Sequence, residues 1–277
     1  MNNLHIVTVA TDPEYYFHYL VDSCKKNGEE LTVLGYGEKW QGFVWRFKLM
    51  IDYLKKLDEN DIVCFIDGYD IICNRNLKEL KKKFLEYKKK YSFKIITGVD
   101  LYKFKIQEIF SKIYFNECNN NLLNAGTYIG FAKDIYEVLL ESYNNNTNNE
   151  SDDQILLTKY CKIHPEDILL DEKQDFFLTI HQPLFEIDNN LYIKNNEAYY
   201  KDKKPFFIHG PSCTYLNLLI KKLNYSIDDN EIYIIKNKMR NNILLKSKHY
   251  FIEFVKKYLI IFILIILCFI KIKSKFK

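Results

Sequence analysis

The sequence predicts an α/β domain with a largely parallel sheet, and three observations support this prediction. Short apolar runs alternate with helical segments through roughly the first 200 residues, an alternation typical of wound α/β sheets. Several of these runs are continuously apolar, as expected of parallel strands that are covered on both faces. The chain has 277 residues, 48% hydrophobic and 16% aromatic, and can therefore fill one large core.

The predicted elements follow from these runs and from the turn residues between them. Strands are predicted at Leu4–Ala10, Leu31–Gly35, Ile62–Ile66, Phe93–Thr97, Tyr128–Ala132 and Phe206–Ile208. Helices are predicted at roughly Glu14–Lys26, Phe47–Lys56, Leu77–Lys90, Ile135–Tyr143 and Ile155–Lys162.

Charge and cysteine content narrow the class of protein. The formal net charge is +4 and the lysines are spread along the chain, so no nucleic-acid partner is indicated. The seven cysteines show no paired spacing of the kind that binds metal. Their odd number, together with an N-terminus that does not resemble a signal peptide, predicts reduced thiols in a reducing compartment.

One predicted strand ends in two carboxylates, Asp67 and Asp70, three positions apart. Ligands of open α/β sheets bind at the carboxyl ends of strands. Both carboxylates can reach one cation only if the chain turns after Asp67, which Gly68 permits. Oxygen ligands of this kind suit Mg²⁺ or Mn²⁺, ions that bridge diphosphate oxygens. The alternative interpretation is an Asx turn that closes the strand.

A second apolar strand ends at His209, followed by Gly210 and Pro211. Pro211 suits the first position of a helix, whose N–H groups would be available to phosphate; Gly210 is accordingly predicted to contact the nucleotide. An imidazole beside two carboxylates would favour manganese over magnesium. The alternative is a strand-end histidine that bonds a backbone carbonyl.

Residues Ser151 to Gln154 form the pattern of a capping box, with Ser151 as the cap and Gln154 three positions later. Asp152 and Asp153 would then lie at the positive end of a helix dipole, so the local pattern alone favours a structural role. The same two acids could instead orient an acceptor hydroxyl or stabilise positive charge on a sugar.

Aromatic and basic residues near these motifs add candidate ligand contacts. Tyr69 lies between the two predicted metal ligands, and its ring, like those of Trp40 and Trp45, could stack on a base or a sugar face. Core packing is the alternative for any one aromatic residue. Lys48 could contact a phosphate, although most lysines of this chain are expected to be solvated.

Eight short segments occur in the order found in one known family. The segments are Thr8–Thr11, Gly35–Trp40, Lys48, Ile66–Asp70, Asn124–Phe131, Asp152–Gln154, Leu170–Asp171 and His209–Pro211. Together they resemble the glycosyltransferase domain of procollagen lysyl hydroxylases and its stand-alone relatives, over about residues 4–222.

The resemblance implies a GT-A fold, a donor that is UDP-glucose or UDP-galactose, and a manganese ion, with magnesium as the alternative metal. Carried over by position, it assigns a role to each matching residue. The implied roles are Asp67, Asp70 and His209 as metal ligands, Thr11 and Tyr69 at the uridine, Lys48 at the diphosphate, Trp40 near the donor, and Asp152 and Asp153 at the catalytic centre.

The leading functional hypothesis is therefore a manganese-dependent transferase that moves glucose or galactose from a UDP-sugar to a hydroxyl acceptor on a protein or glycan. Hydroxylysine or galactosyl-hydroxylysine of a collagen-like protein is the candidate acceptor. One alternative is a nucleotidyltransferase that makes the sugar nucleotide, but residues 10–13 lack the Gly-rich, basic loop it needs. The other is a catalytically inactive, membrane-tethered scaffold, against which the intact predicted metal set argues.

The predicted domains are a catalytic domain at residues 1–222, an extension at 223–257 and an apolar helix at 258–270. As a helix, the last segment would be roughly 20 Å long, shorter than the ~30 Å hydrocarbon core. A helix that is apolar on every side must nevertheless be enclosed by protein or by lipid. The sequence thus predicts a C-terminal membrane anchor with a cytosol-facing catalytic domain, a packed helix being the alternative.

Overall fold

The computed structural model describes residues 2–146, 152–188 and 190–244. The chain divides into two compact units, Met1–Asp228 and Asp229–Lys277. In the second unit, residues 229–244 are helical.

The elements of the first unit are β1 (Leu4–Val9), α1 (Phe17–Lys26), β2 (Leu31–Leu34), α2 (Phe43–Leu54), β3 (Ile62–Ile66), β4 (Ile71–Cys73), α3 (Leu77–Lys90), β5 (Ile95–Tyr102), α4 (Lys105–Phe115), β6 (Leu123–Phe131), α5 (Ala132–Asn144), α6 (Asp153–Ile163), β7 (Ile168–Leu170), β8 (Phe177–His181), β9 (Leu191–Lys194), β10 (Glu197–Tyr200), β11 (Phe207–His209) and α7 (Asn217–Lys222).

The main sheet mixes parallel and antiparallel strands, so the molecule is a mixed α/β structure. Its strand order is β2-β1-β3-β6-β5-β8-β11-β4, and β7 pairs with β5 outside this path. The β6 strand runs antiparallel to both of its neighbours, and β4 runs antiparallel to β11. The prediction of an α/β sheet is confirmed, and β6 and β4 are the strands that run against the direction of the others.

Both faces of the sheet are covered, which explains the continuously apolar strands. In β3, Val63 and Phe65 belong to a core cluster with residues of α2, α5 and α6. The alternate residues Ile62, Cys64 and Ile66 belong to a second cluster with residues of α1 and α3. Successive strand residues point to opposite faces, so a strand buried on both sides has no position left for a polar residue.

The strands and helices predicted between residues 4 and 208 each have a counterpart in the structure. The strands β4 and β7 to β11 have three to five residues each, too few for a clear alternation, and only β11 had been predicted among them. The helix α4 was also missed, although its apolar residues recur with the helical period. Its apolar face is exposed in the structure and consists of Ile106, Ile109, Phe110, Ile113 and Tyr114.

Two cysteines far apart in sequence form a disulfide, Cys118 with Cys161, whose Cα atoms are 5.9 Å apart. The prediction that the cysteines are reduced thiols is wrong for this pair. Their separation of 43 residues carries no sequence signal. Pairing arises only because the sheet places the start of β6 beside α6. The cysteines therefore no longer support the prediction of a reducing compartment.

The predicted membrane location needs correction. Among the described residues, no helix combines the length and the apolar composition that crossing a bilayer requires. The predicted apolar helix at 258–270 lies outside the described residues, and at roughly 20 Å it would fall short of a ~30 Å hydrocarbon core. The predictions of C-terminal anchoring and of a cytosol-facing catalytic domain are withdrawn together.

Candidate active site

The two predicted metal-binding carboxylates lie on the loop that joins β3 to β4. Asp67 follows the last residue of β3, and its N–H donates to the carbonyl of Gly126 at 2.8 Å. Asp70 immediately precedes β4. Because β3 and β4 occupy distant positions in the strand order, the loop crosses the carboxyl edge of the sheet. Both side chains are therefore held at the place where α/β sheets bind ligands.

Gly68 is required for packing rather than for an unusual backbone angle. Its φ angle is not positive, unlike those of Gly28, Gly35, Gly37 and Gly42. A Cβ at this position would lie 3.1 Å from Thr8, Val9 and Ala10 atoms of the β1 strand and the residue after it. The expected bend after Asp67 is present, but glycine serves there to let the loop approach β1 closely.

His209 reaches the same place from β11, which pairs with β4 so that His209 lies opposite Ile71. The N–H of Gly210 donates to the carbonyl of Asp70 at 2.9 Å and ties the two loops together. The predicted helix start at Pro211 is wrong, because Ser212 and Cys213 have left-handed φ angles of 56° and 63°. The helix α7 begins only at Asn217.

Asp67, Asp70 and His209 converge into one cluster whose ligand atoms all lie within 4.8 Å of one another. The Nε2 atom of His209 is 3.2 Å from Oδ1 of Asp70 and 3.6 Å from Oδ2 of Asp67. His209 is 1% exposed, and neither ring nitrogen has an aligned hydrogen-bond partner. Burial lowers the pKa of His209, but Asp70 and the other nearby carboxylates outweigh it and raise the pKa overall. A cation would satisfy both the buried nitrogen and the paired carboxylates.

A glycine of the β6 strand makes room for this cluster. A Cβ on Gly126 would collide with the carboxylate of Asp67 and lie 3.0 Å from Cε1 of His209. The Asn124-Ala-Gly126 segment singled out in the sequence thus has a steric reason for its glycine.

Arg46 of α2 lies at the centre of the site and was not predicted from the sequence. Its guanidinium pairs with Asp67 on one side and with Asp153 on the other, with Nε donating to Oδ2 of Asp153 at 2.8 Å. Arg46 is 7% exposed and Asp153 is 3% exposed. A buried arginine requires such partners. A basic residue in an otherwise apolar stretch, Phe43 to Phe47, was the available signal.

Asp152 and Asp153 have different structural roles. Asp152 is the N-cap of α6, and its side chain accepts from the N–H of Gln154 at 2.9 Å. The predicted cap, Ser151, lies outside the described residues. Burial raises the pKa of Asp153 to about 7; Arg46 opposes this shift, and the nearby Asp152 and Asp67 add to it. Asp67 and Asp153 share one guanidinium here, with Asp152 next to Asp153, so carboxylates outnumber the paired cation, an arrangement that suits a divalent metal ion.

The structure brings together the two residues predicted to hold the uridine. The hydroxyl of Tyr69 accepts from the N–H of Thr11 at 2.9 Å. The Tyr69 ring is half-buried, with Tyr15 and Phe17 6.0 and 6.5 Å away between ring centroids. Of these three rings, Tyr69 lies on the same loop as Asp67 and Asp70, whereas Tyr15 and Phe17 lie at the start of α1.

The other predicted contact residues are Trp40, Lys48 and Gly210. Trp40 is 40% exposed and packs edge-on against Phe43 and Trp45. Lys48 is exposed on α2, about 200° around the helix from the buried Arg46. The N–H of Gly210, expected to face a phosphate, is engaged by Asp70. The structure therefore presents Arg46, rather than Lys48, to the metal cluster.

Comparison with known proteins decides the family. The family model described as the PLOD GT domain matches residues 1–232. The chain belongs to the PLOD GT domain family. The cluster of Asp67, Asp70 and His209, the aromatic group around Tyr69 and the start of α6 all lie within the residues matched to this domain.

Individual relatives agree with this assignment. The chain is 28% identical, over 239 residues, to a multifunctional procollagen lysine hydroxylase and glycosyltransferase of Caenorhabditis elegans, covering 78% of this chain and 32% of that protein. It is also 28% identical, over 237 residues, to the human enzyme LH3 of the same description, with 78% and 30% covered. The chain spans about a third of the length of these relatives.

Among solved structures, the PLOD GT domain chain is similar to a glycosyltransferase involved in the glycosylation of the major capsid of PBCV-1. The TM-score is 0.45 and the identity 11%, with 75% of this chain and 94% of that chain covered.

Proposed function

We propose that this PLOD GT domain is a metal-dependent glycosyltransferase of the GT-A type, acting through its catalytic domain at residues 1–222. It transfers glucose or galactose from a UDP-sugar to a hydroxyl acceptor on a protein or glycan, with hydroxylysine or galactosyl-hydroxylysine as the preferred candidate. The observation that carries the proposal is the convergence of Asp67, Asp70 and His209 at the carboxyl edge of the sheet in a member of this family.

The donor set favours a particular metal. Two carboxylates and one imidazole would hold Mn²⁺ in preference to Mg²⁺, because magnesium binds almost entirely through oxygen. The bound ion would neutralise the diphosphate and stabilise UDP as the leaving group. The protein supports this site with a buried, unpaired imidazole nitrogen and with the space above Gly126.

The uridine would lie against the ring of Tyr69. This ring is half-buried beside Phe17, and its hydroxyl accepts a hydrogen bond from the N–H of Thr11. Base–aromatic stacking contributes about 1–3 kcal/mol. Trp40 and Lys48, both exposed, are assigned to the donor side by the family resemblance alone.

Arg46 and Asp153 would organise the transfer. Arg46 holds one oxygen of Asp67, and it holds Asp153 at the start of α6. A change in the position of Asp67 on metal binding would therefore move Arg46 and, through it, Asp153. Asp153 and Asp152 are assigned to the catalytic centre, where their charge would stabilise a sugar that carries positive charge as the donor bond breaks.

Purified protein incubated with a panel of UDP-sugars tests the proposal. We expect release of UDP from UDP-glucose or UDP-galactose, dependent on Mn²⁺ and increased by a hydroxylysine peptide. Asp70→Asn should abolish this release, whereas Glu59→Gln, which changes an exposed carboxylate before β3, should not. Undiminished release in EDTA would exclude the metal-dependent mechanism. Formation of a UDP-sugar from UTP and a sugar phosphate would indicate the nucleotidyltransferase instead.

A further inference from the structure

A buried polar cluster is centred on Asp100 of β5, whose side chain is fully withdrawn from solvent. Its Oδ1 accepts from Nδ2 of Asn124 at 2.8 Å, and its Oδ2 accepts from Nε2 of Gln154 at 3.2 Å. Asp100 is also one of the charges that raise the pKa of His209, so it belongs to the electrostatic environment of the metal cluster. The polar members of two sequence motifs, Asn124 and Gln154, therefore meet on one carboxylate.

His181, at the end of β8, connects this buried carboxylate to the surface. Its Nε2 lies 2.9 Å from Oδ1 of Asp100, although the ring N–H is not aligned with that oxygen. Its Nδ1 lies 3.0 Å from Oγ of Ser212. The ring stacks on Tyr102, with a centroid distance of 4.3 Å and an interplanar angle of 16°. Ser212 is exposed and lies three residues after His209.

The direction of these contacts follows from what each group can donate. A carboxylate only accepts hydrogen bonds, so the 2.9 Å approach of Oδ1 of Asp100 favours the tautomer of His181 that carries its hydrogen on Nε2. In that tautomer Nδ1 has a free lone pair, and the hydroxyl of Ser212 donates to it. The lone pairs of the Ser212 oxygen remain available to a hydroxyl group that approaches from solvent.

The turn that carries Ser212 is stabilised by hydrogen bonds. Ser212 and Cys213 both adopt left-handed φ angles, 56° and 63°, which cost of order 1 kcal/mol or more for residues other than glycine. Thr214 stabilises the turn, because its N–H and Oγ1 both donate to the carbonyl of Pro211, at 3.2 and 2.7 Å. The Oγ atom of Ser212 itself lies 3.0 Å from Nδ1 of His181.

We propose that Ser212 takes the proton of the acceptor hydroxyl during sugar transfer and passes its own proton to His181, with Asp100 as a positioning residue. The proposal rests on the glycosyltransferase function proposed above. As the acceptor oxygen bonds to C1 of the donor sugar, its O–H bond breaks. The acceptor proton moves to Oγ of Ser212, and the Ser212 proton moves to Nδ1 of His181. The bond from C1 to the diphosphate oxygen breaks, and its electron pair leaves with UDP.

Asp153 is less suited to receive this proton, although burial raises its pKa to about 7. It is 3% exposed, and two guanidinium nitrogens of Arg46 hold its Oδ2 oxygen. An acceptor could reach it only after that pair had separated. Ser212, by contrast, is exposed, and His181 lies within hydrogen-bond distance of its hydroxyl as the base.

The test compares Ser212→Ala, Ser212→Gly and His181→Gln with the wild-type chain. The kcat and KM of UDP release are measured with UDP-glucose and UDP-galactose, in Mn²⁺, with a hydroxylysine peptide and with water as the acceptor. UDP affinity is measured by calorimetry. We expect each variant to lose about 100-fold or more in kcat, the usual range for a proton-transfer group, with UDP affinity unchanged. Combining the Ser212 and His181 changes should cost no more than either alone, because they act as one unit.

The two Ser212 variants separate chemistry from backbone strain. Glycine accepts a left-handed φ without strain, so an equal loss in Ser212→Gly and Ser212→Ala would locate the effect in the hydroxyl. Ser92→Ala, an exposed serine just before the opposite end of β5, is the matched control and should have wild-type kcat. Wild-type kcat in Ser212→Ala would overturn the proposal, as would a loss confined to UDP affinity. A wild-type chain that neither binds UDP nor releases it would instead refute the proposed function itself.

Discussion

Arg46 and Asp153 form an ion pair that is almost fully enclosed, with side-chain exposures of 9% and 4%. The same guanidinium also contacts Asp67, a predicted metal ligand. One residue of α2 thus connects the loop after β3 to the first turn of α6. The pair links two parts of the site that are 86 positions apart in the chain, Asp67 and Asp153.

Replacement of Arg46 by methionine should destabilise the fold. It leaves Asp153 buried without its partner, a change that typically costs about 3–5 kcal/mol. Urea unfolding, compared with wild type at one pH, measures the difference. Lys55→Met is the control, because it removes an exposed pair with Asp52 at the end of the same helix and should cost about 0–1 kcal/mol. Equal stability of the two variants would show that the enclosed pair contributes little.

Metal binding should require the Asp67, Asp70 and His209 cluster. Calorimetry should detect one Mn²⁺ per wild-type chain, and Asp70→Asn or His209→Gln should remove most of the heat. Circular dichroism establishes that each variant is folded. The exposed Glu59→Gln variant should bind as wild type does. Stoichiometric Mn²⁺ binding by both cluster variants would place the ion elsewhere.

Loss of the Tyr69 ring should weaken UDP binding. Tyr69→Ala removes the proposed stacking surface and should cost about 1–3 kcal/mol in UDP affinity, whereas Tyr69→Phe retains the ring and should lose less. Tyr192→Ala changes an exposed tyrosine of the β9–β10 hairpin and should leave UDP affinity unchanged. If Tyr69→Ala binds UDP as tightly as Tyr192→Ala does, the ring does not contact the base.

Asp153 should make stability depend on pH in the metal-free protein. Its pKa is raised from 3.8 to about 7, so between these values the folded chain holds a proton that the unfolded chain has released. The contribution of this group to stability is therefore greatest at low pH and falls as the pH rises through this window. Asp153→Asn should lack this decline, and Asp52→Asn, an exposed control, should retain it. Urea unfolding at several pH values would reveal parallel profiles for wild type and Asp153→Asn if the shift were absent.

The disulfide between Cys118 and Cys161 should contribute substantially to stability. It closes a segment with a sequence separation of 43 residues, for which the chain-entropy model gives about 4 kcal/mol. Double replacement of Cys118 and Cys161 by alanine should lower the urea midpoint. Replacement of the free, buried Cys64 by alanine controls for the loss of a buried thiol. A reducing agent should shift the wild type but not the double variant.

Local patterns predicted much of the fold because its core strands are long and apolar. The β1 and β3 strands are flanked by turn residues, and their composition already implied cover on both faces. The short strands β4, β7 and β8 were missed because tertiary pairing, not local sequence, holds them in place. The antiparallel direction of β6 was missed for a related reason, since an apolar run has the same composition in either direction.

The sequence by itself indicated an α/β domain, its family resemblance, and the convergence of Asp67, Asp70 and His209, because side chains at strand ends lie at a common sheet edge. Tertiary structure decided the residues whose role depends on a distant partner. Arg46 has no motif, and its burial between two carboxylates is visible only when α2 and α6 pack together. The pairing of Cys118 with Cys161 and the contact of His181 with Ser212 arise in the same way. Such contacts join residues that are distant in the sequence, and the local sequence pattern does not specify which distant elements pack together.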